Sequence, residues 1–313
     1  MKKNCIMDEL RLAWHSKIVL GFVLASLGAV LLSFYMQQSF FEDAYGTYLH
    51  TVEFYQESEL KAEPDMEREI VLQKNLNSAT SGMTDDAINY DYAVLQQALF
   101  SSRPEYSLEL ACEGAGLFFC VIFGVLGILF TTIDYKNKSI KHRVGRNGKG
   151  KYVFGKLAAL LLLDVFMVTV YFMFAKIMGI VLWNKVSSGC EVAYASNYII
   201  YEKKAMIIML FETFIMAVVY SLVGAFLGTL FKNAFAGTII MVVFPMLPNF
   251  LGQLDLGNAF LFIEKRIYNF YGAVSCSESS LTSFGNAVLV VAFYGFLTTV
   301  LSWLLVKKRS SYN

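Results

Sequence analysis

Gly114 to Ile133 carries no charged residue. At about 1.5 Å of rise per residue it is long enough to cross the roughly 30 Å hydrocarbon core of a bilayer as a single helix. Further runs of this kind recur along the chain, and in lipid a helix is the one open-ended structure that satisfies its own backbone. Charged residues make up only 16% of the sequence and hydrophobic ones 56%, against about a quarter charged in soluble domains. The expectation is an all-α, polytopic membrane protein forming one membrane domain over 1–313, with no room for a separate soluble catalytic domain.

Six spans are predicted: 16–35, 111–133, 152–183, 204–231, 234–254 and 284–306. Before the first, residues 1–15 place Met7, Leu10 and Trp14 at helical spacing with Lys2, Lys3 and Arg11 among them, the pattern of a helix lying in the membrane interface. A cleaved signal peptide would need a short apolar core and a small-residue cleavage site, which the run from Ile18 to Phe41 lacks. Pro245 and Pro248 should kink or interrupt the fifth span. Residues 255–283 mix aromatics with Glu264, Lys265 and Arg266 and are expected to dip into the outer leaflet and return.

Charge orients these spans. Lys136, Lys138, Lys141, Arg143, Arg146, Lys149 and Lys151 crowd the loop 134–151 against the single acid Asp134, and Lys307, Lys308 and Arg309 follow the last span. Basic loops stay in the cytoplasm, so both termini are expected there, in a cell membrane. Residues 36–110 hold fourteen acids against four basic residues, leaving that segment ten negative and outside. Within it Phe41, Tyr45, Tyr48, Val52 and Tyr55, and again Ile88, Tyr92, Leu95 and Leu99, fall at helical spacing. Two amphipathic helices packed on each other are predicted, the second starting near Thr84 and ending at Arg103-Pro104. The near-zero net charge hides this segregation and gives no nucleic-acid reading.

Catalytic and metal chemistry find little support. Gly145-Arg-Asn-Gly-Lys-Gly-Lys-Tyr152 approaches a phosphate-binding loop, but Tyr152 stands where the metal-binding hydroxyl belongs and no apolar strand precedes Gly145. His15, His50 and His142 are isolated, and the five cysteines show no metal-ligand spacing. No catalytic residue, metal site or cofactor is therefore assigned to this chain. Cys190 and Cys276 fall on outer segments, where a disulfide is permitted and not required.

The run Asp134-Tyr-Lys-Asn137-Lys138-Ser139-Ile140-Lys141, with Lys156 at the start of the next span, resembles the first cytoplasmic loop of ABC-2 type permeases. Asp134 stands for the family's acid, Ser139 for its Thr, and Lys141 and Lys156 for its two lysines. Asp replaces Glu, Lys138 stands where Gly is usual, and no Pro precedes Lys151. The resemblance implies a coupling helix that docks on a separate ATPase subunit, which would bind ATP and Mg. It further implies a second permease copy, identical or related, completing the path. On that basis Asp134, Asn137, Lys138, Ser139, Ile140, Lys141, Arg143 and Lys156 are the expected coupling residues. The charges alone would equally fix topology and bind anionic lipid.

Two acids lie inside predicted spans. Asp164 is about 16 Å past Val153, and Glu212 enters from the other side to a comparable depth, so consecutive spans could place the two together facing a cavity, with Pro245 and Pro248 as further pathway candidates. The plainer reading gives both acids to packing. Gly224-Ala-Phe-Leu-Gly228 permits close helix approach, within the bundle or between copies. Together these features favour the permease subunit of an exporter for a peptide, antibiotic or lipid-like cargo. The alternative is a non-transporting sensor or assembly scaffold with an outer ligand-binding insertion.

Overall fold

The computed structural model describes residues 5–58, 63–74, 87–244, 251–276, 279, 281 and 283–308, with the side chain of Asn147 set aside. Pro245 and Pro248 and the expected helix start at Thr84 lie outside them. Among the described residues the chain is all-α apart from one two-residue strand pair. Its helices are α1 (Cys5–His15), α2 (Ile18–Glu57), α3 (Ala87–Ser101), α4 (Ser107–Lys136), α5 (Ile140–Asn147), α6 (Lys149–Gly189), α7 (Met206–Phe231), α8 (Ala234–Val243), α9 (Leu256–Ile267) and α10 (Phe284–Lys308).

Among the described residues five helices, α2, α4, α6, α7 and α10, are long and apolar enough to cross a membrane. The expected span 234–254 is not among them. Its helix, α8, has ten residues and ends two residues before Pro245, as the steric demand of proline on its predecessor requires. A second short helix, α9, follows past residue 254. α8 packs beside α4, where Gly237 faces Ile128 and Met241 fills the space over Gly124. α9, capped by Asp255 accepting from the Asn258 N–H at 2.9 Å, then runs along α7 from Tyr220, whose ring lies 5.3 Å from Phe260, to Glu212, which takes the hydroxyl of Tyr268 just past its end.

The helix that carries the first expected span continues beyond it. α2 does not stop at residue 35 but runs unbroken for 40 residues, about 60 Å, because nothing between Met36 and Glu57 breaks a helix. Polarity changes where the bilayer ends; helicity need not. α6 is 41 residues long and likewise projects beyond the apolar layer. The segment between α2 and α4 is thus packed on extensions of two long apolar helices. Phe41, Ala44 and Tyr48 of α2 are buried, Tyr48 meets Tyr92 of α3 at 5.9 Å, and Thr51 donates to Asp91 at 2.6 Å. β1 (Ile70–Val71) pairs in parallel with β2 (Ile199–Ile200), Ile70 opposite Ile199.

Glycines set the tightest contact in the bundle, between α4 and α7. A Cβ on Gly224 would overlap the carbonyl of Gly124, one on Gly127 the carbonyl of Ser221, and one on Gly228 the hydroxyl of Thr131. The small-residue spacing at 224 and 228 therefore serves packing inside the bundle.

Candidate functional site

Three chain segments gather at one end of the bundle. Arg146 of α5 pairs with Asp8 of α1 at 2.7 Å, and the Lys149 ammonium at the start of α6 donates to the Lys307 carbonyl of α10 at 3.3 Å. α1, the α4–α5–α6 connection and the carboxyl-terminal end of α10 thus share a side. Three lysines at helix ends there hold left-handed backbone, Lys17 (φ 59°), Lys138 (φ 54°) and Lys232 (φ 58°).

Asp134 is the hub of this end. Its carboxylate is fully buried in the last turns of α4. Oδ1 accepts from the Ser139 hydroxyl at 3.0 Å and from Arg143 Nη1 at 2.7 Å; Oδ2 accepts from the Tyr152 hydroxyl at 2.6 Å and from Lys156 Nζ at 2.5 Å. Glu9 completes the cluster from α1, with Arg143 Nη2 at 2.8 Å and Lys156 Nζ at 3.5 Å. Two carboxylates and two cations, all sequestered, balance each other. Such a set is tolerable in low dielectric where any one member alone is not. Glu9 is held in place by its two cations, Arg143 and Lys156. Burial pushes the Glu9 carboxyl above its ordinary value, Asp134 adds to the rise, and Lys156 and Arg143 oppose it. Burial also disfavours the charged Arg143, but its bonds and attraction to Asp134 and Glu9 outweigh that and hold its guanidinium above the ordinary value.

Local sequence explains the convergence. Tyr152 and Lys156 are four apart and share one face of α6, where both point at α4. Lys138 takes the left-handed turn that reverses the chain after α4, so Ser139 and Arg143, also four apart, face back to Asp134. On α5 the apolar Ile140 and Val144 are buried, whereas Lys141, His142 and Arg146 are exposed, as are Lys136, Asn137 and Lys138 in the preceding turn.

The expected coupling residues therefore divide. Asp134, Ser139, Arg143 and Lys156 are joined inside the cluster, Ile140 anchors α5, and Asn137, Lys138 and Lys141 face outward. Arg143 was grouped with the outward basic residues and instead turns in. Glu9 and Tyr152 were missed. Glu9 stood in a helix read by its apolar face, Met7 and Trp14, which are both exposed, while Cys5, Glu9 and Ala13 face the bundle at four-residue steps. Tyr152 had registered only as a defect in a phosphate-loop pattern.

Asp164 and Glu212 do not meet. Asp164 accepts from the Ser221 hydroxyl at 2.6 Å, and Ser221 is nine residues, about 14 Å, along α7 from Glu212. Glu212 lies six residues past the start of α7 and Asp164 fifteen past the start of α6, so their depths are not comparable. Nor does a disulfide join Cys190 to Cys276: Cys190 donates to the Val192 carbonyl at 3.7 Å, and Cys276 packs on the cluster of Cys112, Met209, Tyr268, Phe270 and Val274. Among the described residues no group of His, Cys, Asp or Glu has the arrangement of a metal site.

Searches of curated proteins and of solved structures return no match to this chain. The sequence model of the ABC-2 family transporter proteins matches residues 30–254, well over half of the 313 residues. The matched region includes Asp134, Ser139, Arg143, Tyr152 and Lys156 and stops short of Glu9. With five apolar helices of spanning length and a buried ion cluster organising the turn between α4 and α6, the chain belongs to the ABC-2 family of transporter proteins.

Proposed function

We propose that this chain is the membrane-spanning subunit of an ATP-driven exporter and that α5 is the element on which a separate cytoplasmic ATPase docks. The observation that carries this reading is the division of the 134–156 segment. One face is fixed to α1, α4 and α6 by the buried ion cluster, and the other presents Lys138 and Lys141 to solvent. A short helix held rigidly to two spanning helices passes on a push, where a loose basic loop would absorb it. The ATPase would bind ATP and Mg; this chain would supply the docking surface and, with a second permease copy, the path for a peptide, antibiotic or lipid-like cargo. α1 and α5 would lie in the cytoplasm, with the α2 and α6 extensions outside.

Copurification tests the partner. Detergent-solubilised protein is expected to bring down an ATPase whose yield falls sharply with Lys138→Glu and Lys141→Glu combined. A stable complex that lacks any ATPase would favour a scaffold or sensor instead. An impermeant thiol reagent tests orientation: it should reach a cysteine placed at Glu53 and miss one placed at Gly148, and the reverse pattern overturns the topology.

A further inference from the structure

At the far end of the bundle the chain between α9 and α10 has no regular structure over 268–273, yet most of these residues are buried. Buried backbone must find partners, and here side chains of other elements supply them. Glu113 of α4 accepts from the Phe270 N–H at 2.8 Å, and Tyr106, which also bonds Glu113, accepts from the Tyr271 N–H at 3.1 Å. Asn269 donates to Glu109 of α4 at 2.8 Å. Gln37 of α2 accepts from the Ala273 N–H at 2.8 Å, Gln97 of α3 donates to the Tyr271 carbonyl at 3.2 Å, and Lys204 donates to the carbonyls of Arg266 and Tyr268 at 2.9 and 3.0 Å. Phe270 holds φ 53°, which a bulky side chain adopts only under constraint.

One helix reaches both this clamp and the ion cluster. Glu113 and Asp134 are 21 residues apart on α4, about 32 Å along a helix without proline. Between them Gly124 and Gly127 lock α4 against α7 with no side chain to yield. We propose that α4 links the two ends. On this view 268–273 is a clamp closing the outer end, held by Glu109 and Glu113, and a change at Asp134 loosens it. The idea rests on the reading of α5 as the driven element, but its test needs no ATPase.

Cys276, three residues past the clamp, is the reporter. In a Cys190→Ser background Cys112 and Cys120 are buried and Cys5 is on the other side, so an impermeant maleimide applied to intact cells reads Cys276. Glu113→Leu removes the acceptor of the Phe270 N–H and is expected to speed labelling about tenfold or more; Asn269→Ala is the milder variant on the same clamp. Asp134→Asn, with Ser139→Ala as its milder counterpart, is expected to raise the rate at least about threefold from the opposite end. Comparisons are limited to variants that elute as a single species. Unchanged labelling in Glu113→Leu and Asn269→Ala would remove the clamp, and unchanged labelling in Asp134→Asn and Ser139→Ala would remove the link. If no ATPase copurifies while the Asp134 variants still accelerate labelling, the docking reading fails and the link stands. A flat response in a chain that does hold an ATPase overturns the link alone.

Discussion

The two ends of α4 bury carboxylates by different means. Asp134 is met by Arg143 and Lys156, with Glu9 as a second anion, so the inner cluster is a closed set of opposite charges. Glu113 is met by the Tyr106 hydroxyl and the Phe270 N–H, and among the described residues no cation pairs with it or with Glu212. The Asp134 arrangement joins α1, α4, α5 and α6 through forces that act over distance and orientation. The Glu113 arrangement joins a strap to the bundle through short, directional bonds. Charge balance makes a joint costly to break at any member; hydrogen bonding makes one that yields bond by bond. An element that must transmit and an element that must release have opposite needs, and the two ends match them.

That contrast is most exposed by removing one charge. Lys156→Met leaves Asp134 and Glu9 sharing Arg143 alone, and unbalancing a buried pair costs about 3–5 kcal/mol. Little folded protein is expected, read as the fraction surviving size exclusion and the shift in thermal unfolding. Stability within about 1 kcal/mol of the parent would show that the cluster is solvated and the comparison false. Glu113→Gln should behave otherwise. The amide keeps an acceptor for the Phe270 N–H and no cation is left bare, so a loss of about 1 kcal/mol is expected, in the range of one hydrogen bond. A loss as large as that of Lys156→Met would mean a hidden charge partner at the outer end.

Glu9 sharpens the inner half. Its carboxyl is held above the ordinary value, chiefly by burial. The folded state therefore keeps a proton that the unfolded chain gives up near the ordinary glutamate value, about 4.3. The stability tied to Glu9 is fully present below that value and is lost as pH rises through the raised one. As pH rises above the ordinary glutamate value, unfolding temperatures of the parent should fall by more than those of Glu9→Gln. Parallel profiles would show that Glu9 titrates like a surface residue and contributes nothing specific to the cluster.

How far the fold was legible follows from what each signal measures. Apolar runs located α4, α6, α7 and α10 because lipid demands them, and they misjudged ends because a helix such as α2 continues as long as its backbone allows. Over the expected span 234–254 the prolines signal where α8 stops, while the start of α9 depends on the Asp255 cap that the Asn258 N–H answers from three residues on. Asp134, Ser139 and Lys156 were legible through a resemblance in one short stretch. Glu9 was not, since its partners lie more than a hundred residues away and only folding brings them near. The pairing of Asp164 with Ser221, and of Glu212 with Tyr268, likewise depends on the register of α6 on α7 that the interlocked glycines fix.

The smallest expected effect separates geometry from charge at a single residue. Lys138 stands at φ 54° in the turn between α4 and α5, a conformation that costs a side-chain-bearing residue about 1 kcal/mol and glycine almost nothing. Lys138→Gly should therefore leave the unfolding temperature unchanged or raise it by a few degrees, because the ion cluster that fixes α5 does not involve this side chain. If the exposed lysine is also a docking contact, the same variant should hold less ATPase despite its sound fold. Reduced stability would instead place the Lys138 ammonium within the joint and shift the boundary between the buried and outward faces of this segment.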